Sequence, residues 1–392
     1  MDSFIVPQFN EDSIAHSWGD LQRFDWIQAL KTCPQDPVYH AEGNVHIHLE
    51  MVLGRMFTDP VWRSLSERDR ALAYVAAILH DVAKPLTTTV DDPEPGRVSA
   101  RGHSPKGATM ARQILWEMEC PFAFRELVCG MILHHQVPYY LINEDNSEER
   151  LTRISYTTRC DLLQVLANAD IRGRICEDLP GVLEKIELFG LYAEDLDCVS
   201  KPVSFASDHT RFKYFNTRGV RSIHDVVFDE TWGEVIVMSG LPGSGKGHWI
   251  RENAPDLPVV SMDAMRREAG VKHGDKAGQG RIRQAAVEQA KVYLRAQQPF
   301  VWDATNLDRN RRRPIIQMCD GYGARIHIAY VEASSPSKLF QQNRDREYPI
   351  PEDAITKMVH GRWETPSLME AQRVTYAVDG VNIPAQNVLT SE

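Results

Sequence analysis

A glycine-rich run between an apolar strand and a helical segment constrains this chain more than any other feature. The residues Gly-Glu-Val-Ile-Val-Met-Ser lead into Gly240-Leu-Pro-Gly-Ser-Gly-Lys246, and a helical pattern follows. In this context glycines let backbone N–H groups turn toward a phosphate, the helix presents its N-terminus, and the lysine reaches the β and γ oxygens. The motif therefore predicts a nucleotide site formed by Gly240, Gly243, Ser244, Gly245, Lys246 and Gly247.

Gly247 departs from the usual motif, which has a Ser or Thr at this position to hold Mg²⁺. The metal would then have to be held by phosphates, water and carboxylates from elsewhere. Because the other parts of the loop are present, we expect an altered magnesium site rather than a degraded one. Asp303, at the end of a later predicted strand, is a candidate carboxylate near this ion.

Hydrophobic patterning divides the chain into a helical front and an α/β back. Helical patterns cover residues 66–84, 106–119 and 122–135 and continue from 161, and nothing before residue 200 indicates a sheet. After residue 232, short β-branched runs alternate with helices, which predicts a parallel sheet with helices on both faces. The predicted strands are Val235–Met238, Val259–Val260, Phe300–Trp302 and Ile326–Val331. We expect an all-α domain over 1–200, an α/β domain over 233–392, and between them, over 201–232, a linker or an arm packed on either domain.

The charge balance and the cysteines limit the class of protein. The chain has 44 Lys and Arg against 54 Asp and Glu, so its formal net charge of -10 repels nucleic acid at long range and any such binding must be local. Its 7 cysteines form no CxxC pair. No apolar run approaches the roughly 18 residues that cross a bilayer, and the N-terminus lacks an export pattern. We therefore expect a folded cytoplasmic protein without a membrane partner.

Polar residues follow two further predicted strands of the α/β half. Asp263 and Arg266 come after the second strand, where such a sheet opens onto a nucleotide crevice. Asp263 can accept a proton from an attacking hydroxyl and Arg266 can hold a phosphate, although an ordinary N-cap aspartate is an equal interpretation. The third strand is followed by Thr305, Asn306, Arg309, Arg311, Arg312 and Arg313. These arginines fit either a phosphate-rich substrate or a solvated face.

Residues 233–370 resemble the P-loop polynucleotide 5′-kinases of the bacteriophage type. The matching motifs are the phosphate loop, D-x-x-R at 263–266, Thr-Asn at 305–306 and N-x-x-R at 343–346. The resemblance implies that Asp263 is the general base on a 5′-hydroxyl and that Arg266 contacts the phosphate of the acceptor. It also implies Mg²⁺ with ATP or GTP at Lys246, and a lid arginine that stabilises the transferred group. Arg346 and Arg344 are the lid candidates, and the polynucleotide contacts would be Arg266, Thr305, Asn306, Arg309 and Arg312.

A second group of chemical interest lies in the helical half. His80 and Asp81 are adjacent in an apolar helical pattern, where two ionisable groups are costly unless they are paired or bound to metal. Imidazole and carboxylate suit divalent first-row metals, and such ions activate water toward phosphorus near neutral pH. His46 and His16 match no such role and are interpreted as structural.

Residues 38–190 resemble the HD phosphohydrolase superfamily, especially the members appended to tRNA nucleotidyltransferases. The resemblance rests on the stretches Tyr39–Val45, Leu79–Pro85, Gly102-His103 and Ala169–Arg174. It implies metal ligation by His48, His80, Asp81 and Asp170, with Asp161 as the competitor of Asp170. It further implies a second ion or a phosphate at His103 and at His134 or His135, while Lys84 offsets phosphate charge. One or two ions of Mn, Ni, Co, Zn or Fe are expected.

The fusion itself resembles the bacterial HD-domain polynucleotide kinases, which are bifunctional end-healing enzymes. This resemblance implies repair of RNA breaks: removal of a 2′,3′-cyclic phosphate at one end and phosphorylation of a 5′-hydroxyl at the other. RNA or DNA ends, a nucleoside triphosphate and a separate ligase are the expected partners. Two alternatives stay open on the sequence: an HD nucleotide hydrolase joined to a small-molecule kinase, and a catalytically inert nucleotide sensor.

Overall fold

The computed structural model describes residues 14–92, 94–271, 275–361 and 363–389, with side chains described from residue 18 onward. The chain divides into two compact units, one of Met1–Val203 with Val388–Glu392 and the other of Ser204–Asn387. No helix among the described residues is long and apolar enough to cross a membrane.

The first unit is helical. Its helices are α1 (Ile14–Leu21), α2 (Asp25–Gln28), α3 (Val45–Thr58), α4 (Pro60–Ser64), α5 (Glu67–Leu79), α6 (Lys84–Thr87), α7 (His103–Glu117), α8 (Phe122–His134), α9 (Ser147–Ser155), α10 (Cys160–Arg172) and α11 (Leu179–Asp195). Short 3₁₀ segments cover Ala29–Thr32, Val137–Tyr139 and Leu141–Asn143. A small antiparallel pair, β1 (Thr89–Val90) and β2 (Val98–Ser99), was not predicted.

Helix α5 forms the centre of this unit. The Ser66 side chain caps it by accepting a hydrogen bond from the Asp69 N–H, and every residue from Leu72 to Leu79 is buried. The pattern predicts a helix continuing to residue 84, but the structure ends α5 at Leu79 and forms a turn before α6. His80 and Asp81 therefore lie on a turn between two helices rather than on a helix face.

The second unit is built on a six-stranded sheet. Its strands are β3 (Glu234–Ser239), β4 (Val259–Ser261), β5 (Val301–Asp303), β6 (Arg325–Glu332), β7 (Arg373–Val378) and β8 (Val381–Pro384), in the order β4-β5-β3-β6-β7-β8. Neighbouring strands are parallel from β4 to β7, and β8 is antiparallel to β7. The helices of this unit are α12 (Asp208–Asn216), α13 (Lys246–Asn253), α14 (Met262–Glu268), α15 (Lys276–Arg295), α16 (Arg309–Gly321), α17 (Pro336–Arg344) and α18 (Glu352–Gly361), and a short α19 (Gln386–Leu389) ends the described chain.

Sheet order decides where the chemistry of this unit lies. Ser239, at the end of β3, and Asp303, at the end of β5, belong to neighbouring strands, and Ser261 pairs in register with Asp303. The carboxyl ends of parallel strands meet at one edge of a sheet, which is where α/β folds bind ligands. The sequence predicted four of these strands and missed β7 and β8.

The segment between the predicted domains belongs mostly to the second unit. Its helix α12 carries Arg211, whose guanidinium donates to the carbonyl oxygens of Leu368 at 3.0 Å and Gln372 at 2.8 Å. From Ser204 onward, the predicted linker or arm therefore belongs to the α/β unit. The sequence had left open which domain this segment packs on.

Candidate active sites

The phosphate loop adopts backbone conformations that require its glycines. Gly240, Gly243 and Gly245 have φ angles of 144°, 85° and 99°, in the left-handed region. A Cβ at Gly240 would lie 2.2 Å from the carbonyl oxygen of Val331. The loop then enters α13 at Lys246, so the helix N-terminus faces the space that the loop encloses.

Lys246 lies among charged groups at the strand ends. Its Nζ donates to the carbonyl oxygens of Gly240 at 2.9 Å and Leu241 at 2.8 Å. Burial lowers the pKa of Lys246 to about 8, against the raising influence of the Asp303 and Asp263 carboxylates and with a further lowering by Arg346. The charges of Asp263, Asp303 and Arg346 thus all act on the ammonium group of Lys246.

Ser244 supports a phosphate site at this loop. Its hydroxyl is buried and has no hydrogen-bond partner among the residues that the structure describes. Buried polar atoms are normally paired, so an orphan hydroxyl in a loop of this kind is a natural contact for a bound phosphate oxygen.

Asp263 and Arg266 occupy the first turns after β4. Their side chains form an ion pair across one helical turn, and the Arg266 Nε also donates to the Gln279 Oε1 at 3.0 Å. Ser261 donates from its hydroxyl to the Asp303 Oδ2 at 3.1 Å, which joins the ends of β4 and β5. Asp303, whose charge acts on Lys246, therefore offers carboxylate oxygens at these strand ends. Such oxygens are the ligands that Mg²⁺ prefers.

Two predicted polynucleotide contacts, Arg312 and Asn306, have structural roles in the core instead. Arg312 is fully buried and donates to both carboxylate oxygens of Glu370, at 2.8 and 2.9 Å. Asn306 is buried and donates from its side chain to the carbonyl of Met238 at 2.8 Å. Successive arginines on a helix point in different directions around its axis, so some of them face the core. The sequence alone did not show that Arg312 was one of these.

The other predicted contacts remain near the loop or at the surface. Gly240 donates its N–H to the Thr305 carbonyl at 2.9 Å, which places Thr305 directly beneath the phosphate loop. The backbone N–H of Arg309 donates to the Glu364 Oε2 at 3.0 Å. Arg344 is exposed and ion-paired with Glu352 at 2.8 Å, whereas Arg346 makes no side-chain hydrogen bond or ion pair within the described chain.

A buried cluster of imidazoles and carboxylates forms in the first unit where helix ends converge. His48 lies in the first turn of α3, His80 and Asp81 follow α5, His103 begins α7, His135 follows α8, and Asp170 lies in the last turns of α10. Two fully buried groups offer metal-ligand atoms within 4.8 Å of one another: His48, His80 and Asp170, and Asp81, His103 and His135. A third group, His40, Glu42 and His48, shares His48 with the first. His80 Nε2 lies 3.2 Å from Asp81 Oδ2, which brings the two groups next to each other.

Backbone carbonyls orient three of the imidazoles toward the centre of the cluster. The Nδ1 atoms of His80, His103 and His135 donate to carbonyls three residues earlier, at 2.7, 2.7 and 2.8 Å. In the neutral form of each imidazole this leaves Nε2 as an acceptor, the form that a metal ligand needs.

The cluster fits a divalent cation. The acceptor atoms His103 Nε2 and His135 Nε2 face each other at 3.3 Å, an arrangement that repels unless a cation or proton lies between them. His80 Nε2 and Asp81 Oδ1 are buried without a hydrogen-bond partner in the described part of the chain. Unpaired buried acceptors that converge in this way are the donor set of a metal site.

Cationic groups compensate the carboxylates. Lys84 Nζ donates to Asp81 Oδ2 at 2.7 Å and to Gln35 Oε1 at 2.7 Å. Burial by itself raises the pKa of Asp81, but the charges of Lys84 and His80 hold it well below its ordinary value. Asp81 is therefore ionised, as a metal ligand must be.

Three supporting residues escaped the sequence analysis. Glu42 accepts from His48 Nδ1 at 3.0 Å, and Tyr139 and Arg174 donate to Asp170 Oδ2 at 2.6 and 2.8 Å. Glu42 and Arg174 lie within the stretches that carried the resemblance, which was the available signal. Tyr139 had none, because its contact with Asp170 depends on how α10 packs against a 3₁₀ segment.

The structure separates the predicted alternatives around this cluster. His135 belongs to the cluster and the adjacent His134 does not, because neighbouring residues at a helix end point in different directions. His134 is therefore removed from the predicted ligand set. Asp161 pairs with Arg159 instead of joining the cluster. His46 contacts Gln22 at 2.9 Å and stays outside, while the side chain of His16 lies outside the described residues.

The fold and the two sites together define a helical domain with clustered potential metal ligands, joined to a P-loop domain. Residues 46–171 match the HD domain family, and residues 235–363 match the AAA domain family. The chain therefore carries an HD domain followed by a P-loop kinase-like domain, which confirms the predicted fold class.

The chain is also similar to individual proteins over parts of its length. Over 125 residues the chain is 34% identical to the CC-adding tRNA nucleotidyltransferase of Thermus thermophilus, a match that spans 32% of this chain and 27% of that relative. A solved structure of a candidate kinase from Chloroflexus aurantiacus is 17% identical, with a TM-score of 0.31, over 41% of this chain and 93% of the other. The HD and kinase-like domains support an enzyme with both hydrolase and phosphotransfer activity.

Proposed function

We propose that this protein heals broken nucleic-acid ends. Its P-loop domain transfers the γ-phosphoryl group of ATP or GTP to a 5′-hydroxyl, and its HD domain hydrolyses a 2′,3′-cyclic phosphate and removes the resulting phosphate. The observation that carries the kinase proposal is the phosphate loop, whose glycines at positive φ follow β3 and lead into α13 at Lys246. Asp303 ends the neighbouring strand β5, so a nucleotide held by this loop would have a carboxylate at the same edge of the sheet.

In the kinase reaction, Asp263 accepts the proton of the attacking hydroxyl, and Arg266 binds a phosphate of the acceptor strand. The exposure of the Asp263 side chain, 53%, leaves it accessible to a strand end. Arg346 neutralises charge on the transferred group, a role that its lack of another partner in the described chain supports. Asp303 is the carboxylate that would support Mg²⁺ in place of the hydroxyl absent at Gly247.

In the hydrolytic reaction, the two three-residue groups of the HD cluster would hold one or two ions of Mn, Ni, Co, Zn or Fe. A divalent ion there supplies a water of lowered pKa and polarises the phosphate. Lys84 and Arg174 flank the carboxylates with positive charge, at 2.7 Å from Asp81 and 2.8 Å from Asp170. Their charges attract a phosphate ester into a site that is otherwise rich in carboxylates.

The proposed substrates are RNA or DNA ends, and a separate ligase would then join the healed termini. The acidic chain, with its net charge of -10, suits an enzyme that grips only a terminus. Recognition of this kind needs local arginines such as Arg266 and not an extended basic surface.

A paired assay tests both activities in one preparation. The full chain is incubated with γ-labelled triphosphate, Mg²⁺ and a 5′-hydroxyl oligonucleotide, and separately with Mn²⁺ or Ni²⁺ and an oligonucleotide ending in a 2′,3′-cyclic phosphate. We expect Asp263→Ala to abolish label transfer while phosphate release continues, and Asp81→Ala to have the opposite effect. Each variant is thus the folding control of the other.

The same assay decides between substrate classes. Label transfer to small alcohols, nucleosides or sugars, with none to the oligonucleotide, would replace the end-healing proposal with a small-molecule kinase. Loss of both activities in either folded variant would contradict the assignment of separate sites. Nucleotide binding without turnover under all metals and donors would indicate a sensor.

A further inference from the structure

An open cleft of about 390 Å³ adjoins the HD cluster. His103 lies in its wall, so the cleft reaches a member of the second metal-ligand group. Lys84 and Arg174 also line it, next to the carboxylates that they neutralise. The cleft therefore leads from the surface to the edge of the cluster.

The charge of the cleft favours an anion. Its lining contains the cations Lys84, Arg101 and Arg174 and one carboxylate outside the cluster, Asp36. That carboxylate is neutralised by Arg97, whose Nε donates to Asp36 Oδ2 at 2.6 Å. At the inner end Lys84 and Arg174 are paired with Asp81 and Asp170, so this part of the cleft offers the N–H groups of two cations beside carboxylates, and Arg101 adds a further cation to the lining. A phosphate ester can accept hydrogen bonds from these groups.

The outer wall carries an exposed aromatic ring that is held in place. Tyr39 lines the cleft and is 47% exposed. The Arg97 guanidinium lies over this ring, 5.4 Å from its centroid, and Arg97 is itself fixed by Asp36. Asp36 also accepts the N–H of Val98, which ties the Tyr39 segment to the β1–β2 pair.

We propose that Tyr39 stacks on the base of a nucleotide whose phosphate lies at the inner end of the cleft. The inference rests on the proposed hydrolase function and makes Tyr39 a residue that determines its specificity for nucleotides. An aromatic ring fixed at the mouth of a cationic cleft offers a flat apolar surface to the base, which stacks on aromatic side chains whatever its identity. Arg97 is the positioning residue that holds the ring.

Two phosphate monoesters of secondary alcohols isolate the contribution of the base. Adenosine 3′-monophosphate has a base and glycerol 2-phosphate has none, while the bond to be broken is similar. We expect Tyr39→Ala to raise KM for the adenosine ester about 10- to 100-fold with little change in kcat, as loss of one base–aromatic contact predicts. The KM for glycerol 2-phosphate should stay unchanged, and Tyr39→Phe should keep the wild-type preference.

A binding measurement without metal separates this inference from the hydrolase proposal. Equilibrium dialysis of adenosine 3′-monophosphate against the full chain in EDTA should show weaker binding to Tyr39→Ala than to Tyr39→Phe, since the kinase acceptor site is the same in both. Equal effects of Tyr39→Ala on the two esters, or equal binding by the two variants, would overturn the stacking role. If the wild-type chain hydrolyses neither ester, the hydrolase proposal fails, and the binding difference still decides the role of Tyr39.

Discussion

The affinity of the phosphate loop for a nucleoside triphosphate should fall as pH rises through about 8. The group responsible is Lys246, because burial lowers its pKa to about 8 in the unbound chain. Below this pH the side chain is an ammonium ion that can bind β and γ oxygens, and above it the side chain is neutral. Because a bound triphosphate stabilises the ammonium form, binding takes up a proton above pH 8, and linkage then weakens binding as pH rises.

The magnitude follows from the fraction of Lys246 that is charged. With a pKa of about 8, roughly nine-tenths of the unbound chains carry the charge at pH 7 and roughly one-tenth at pH 9. Affinity should therefore be about tenfold lower at pH 9 than at pH 7, provided that the lysine stays charged in the complex. A fluorescent, non-hydrolysable ATP analogue titrated at constant Mg²⁺ and ionic strength over pH 7–9.5 measures this directly.

Lys246→Met provides the matched control because its side chain has similar length and no charge. Its affinity should be lower than that of the wild-type chain at pH 7 and nearly independent of pH. A wild-type profile that is flat over this range, or that parallels the profile of Lys246→Met, would refute the assignment of a low pKa to this lysine.

Three further outcomes are expected from local contacts. Arg312→Ala should lower the free energy of unfolding by about 3–5 kcal/mol in urea titration, because it leaves the buried Glu370 carboxylate without its bidentate partner; a loss below 1 kcal/mol would mean that Arg312 is not a structural ion-pair member. Gly247→Ser should tighten triphosphate binding in Mg²⁺ but not in EDTA, since a Cβ there meets only the Arg251 side chain at 3.6 Å; equal affinity of variant and wild type in Mg²⁺ would show that the hydroxyl finds no ion. His135→Ala should weaken Mn²⁺ binding, measured by calorimetry, by at least about 10-fold, whereas His134→Ala should not; similar losses in both would restore His134 to the ligand set.

The phosphate loop was readable from sequence because its structure is local. Gly240, Gly243 and Gly245 adopt the left-handed conformations that their motif predicts, and Lys246 begins the predicted helix. A glycine that must have positive φ leaves a mark in the sequence itself, since other residues rarely adopt that conformation. The alternation of strands and helices around it predicted the parallel sheet for a similar reason.

The HD cluster was only partly readable. His80 and Asp81 stand out because ionisable residues in an apolar pattern require a partner, but the pattern extended their helix too far. Tyr139 gave no signal, and Glu42 had only that of the matching stretch around it, because each acts through a contact with a residue more than five positions away or on another element. Sequence spacing does not encode such contacts.

The amino-acid sequence alone determined that the chain has a helical half with candidate metal ligands and an α/β half with a phosphate loop, since glycine conformation, hydrophobic period and the cost of buried charge act over a few residues. Tertiary structure alone decided which side chains face the sites. It placed His135 rather than His134 in the cluster and turned Arg312 into the core against Glu370. The physical reason is that side-chain direction depends on helix rotation and packing, and these are set by contacts between residues far apart in the chain.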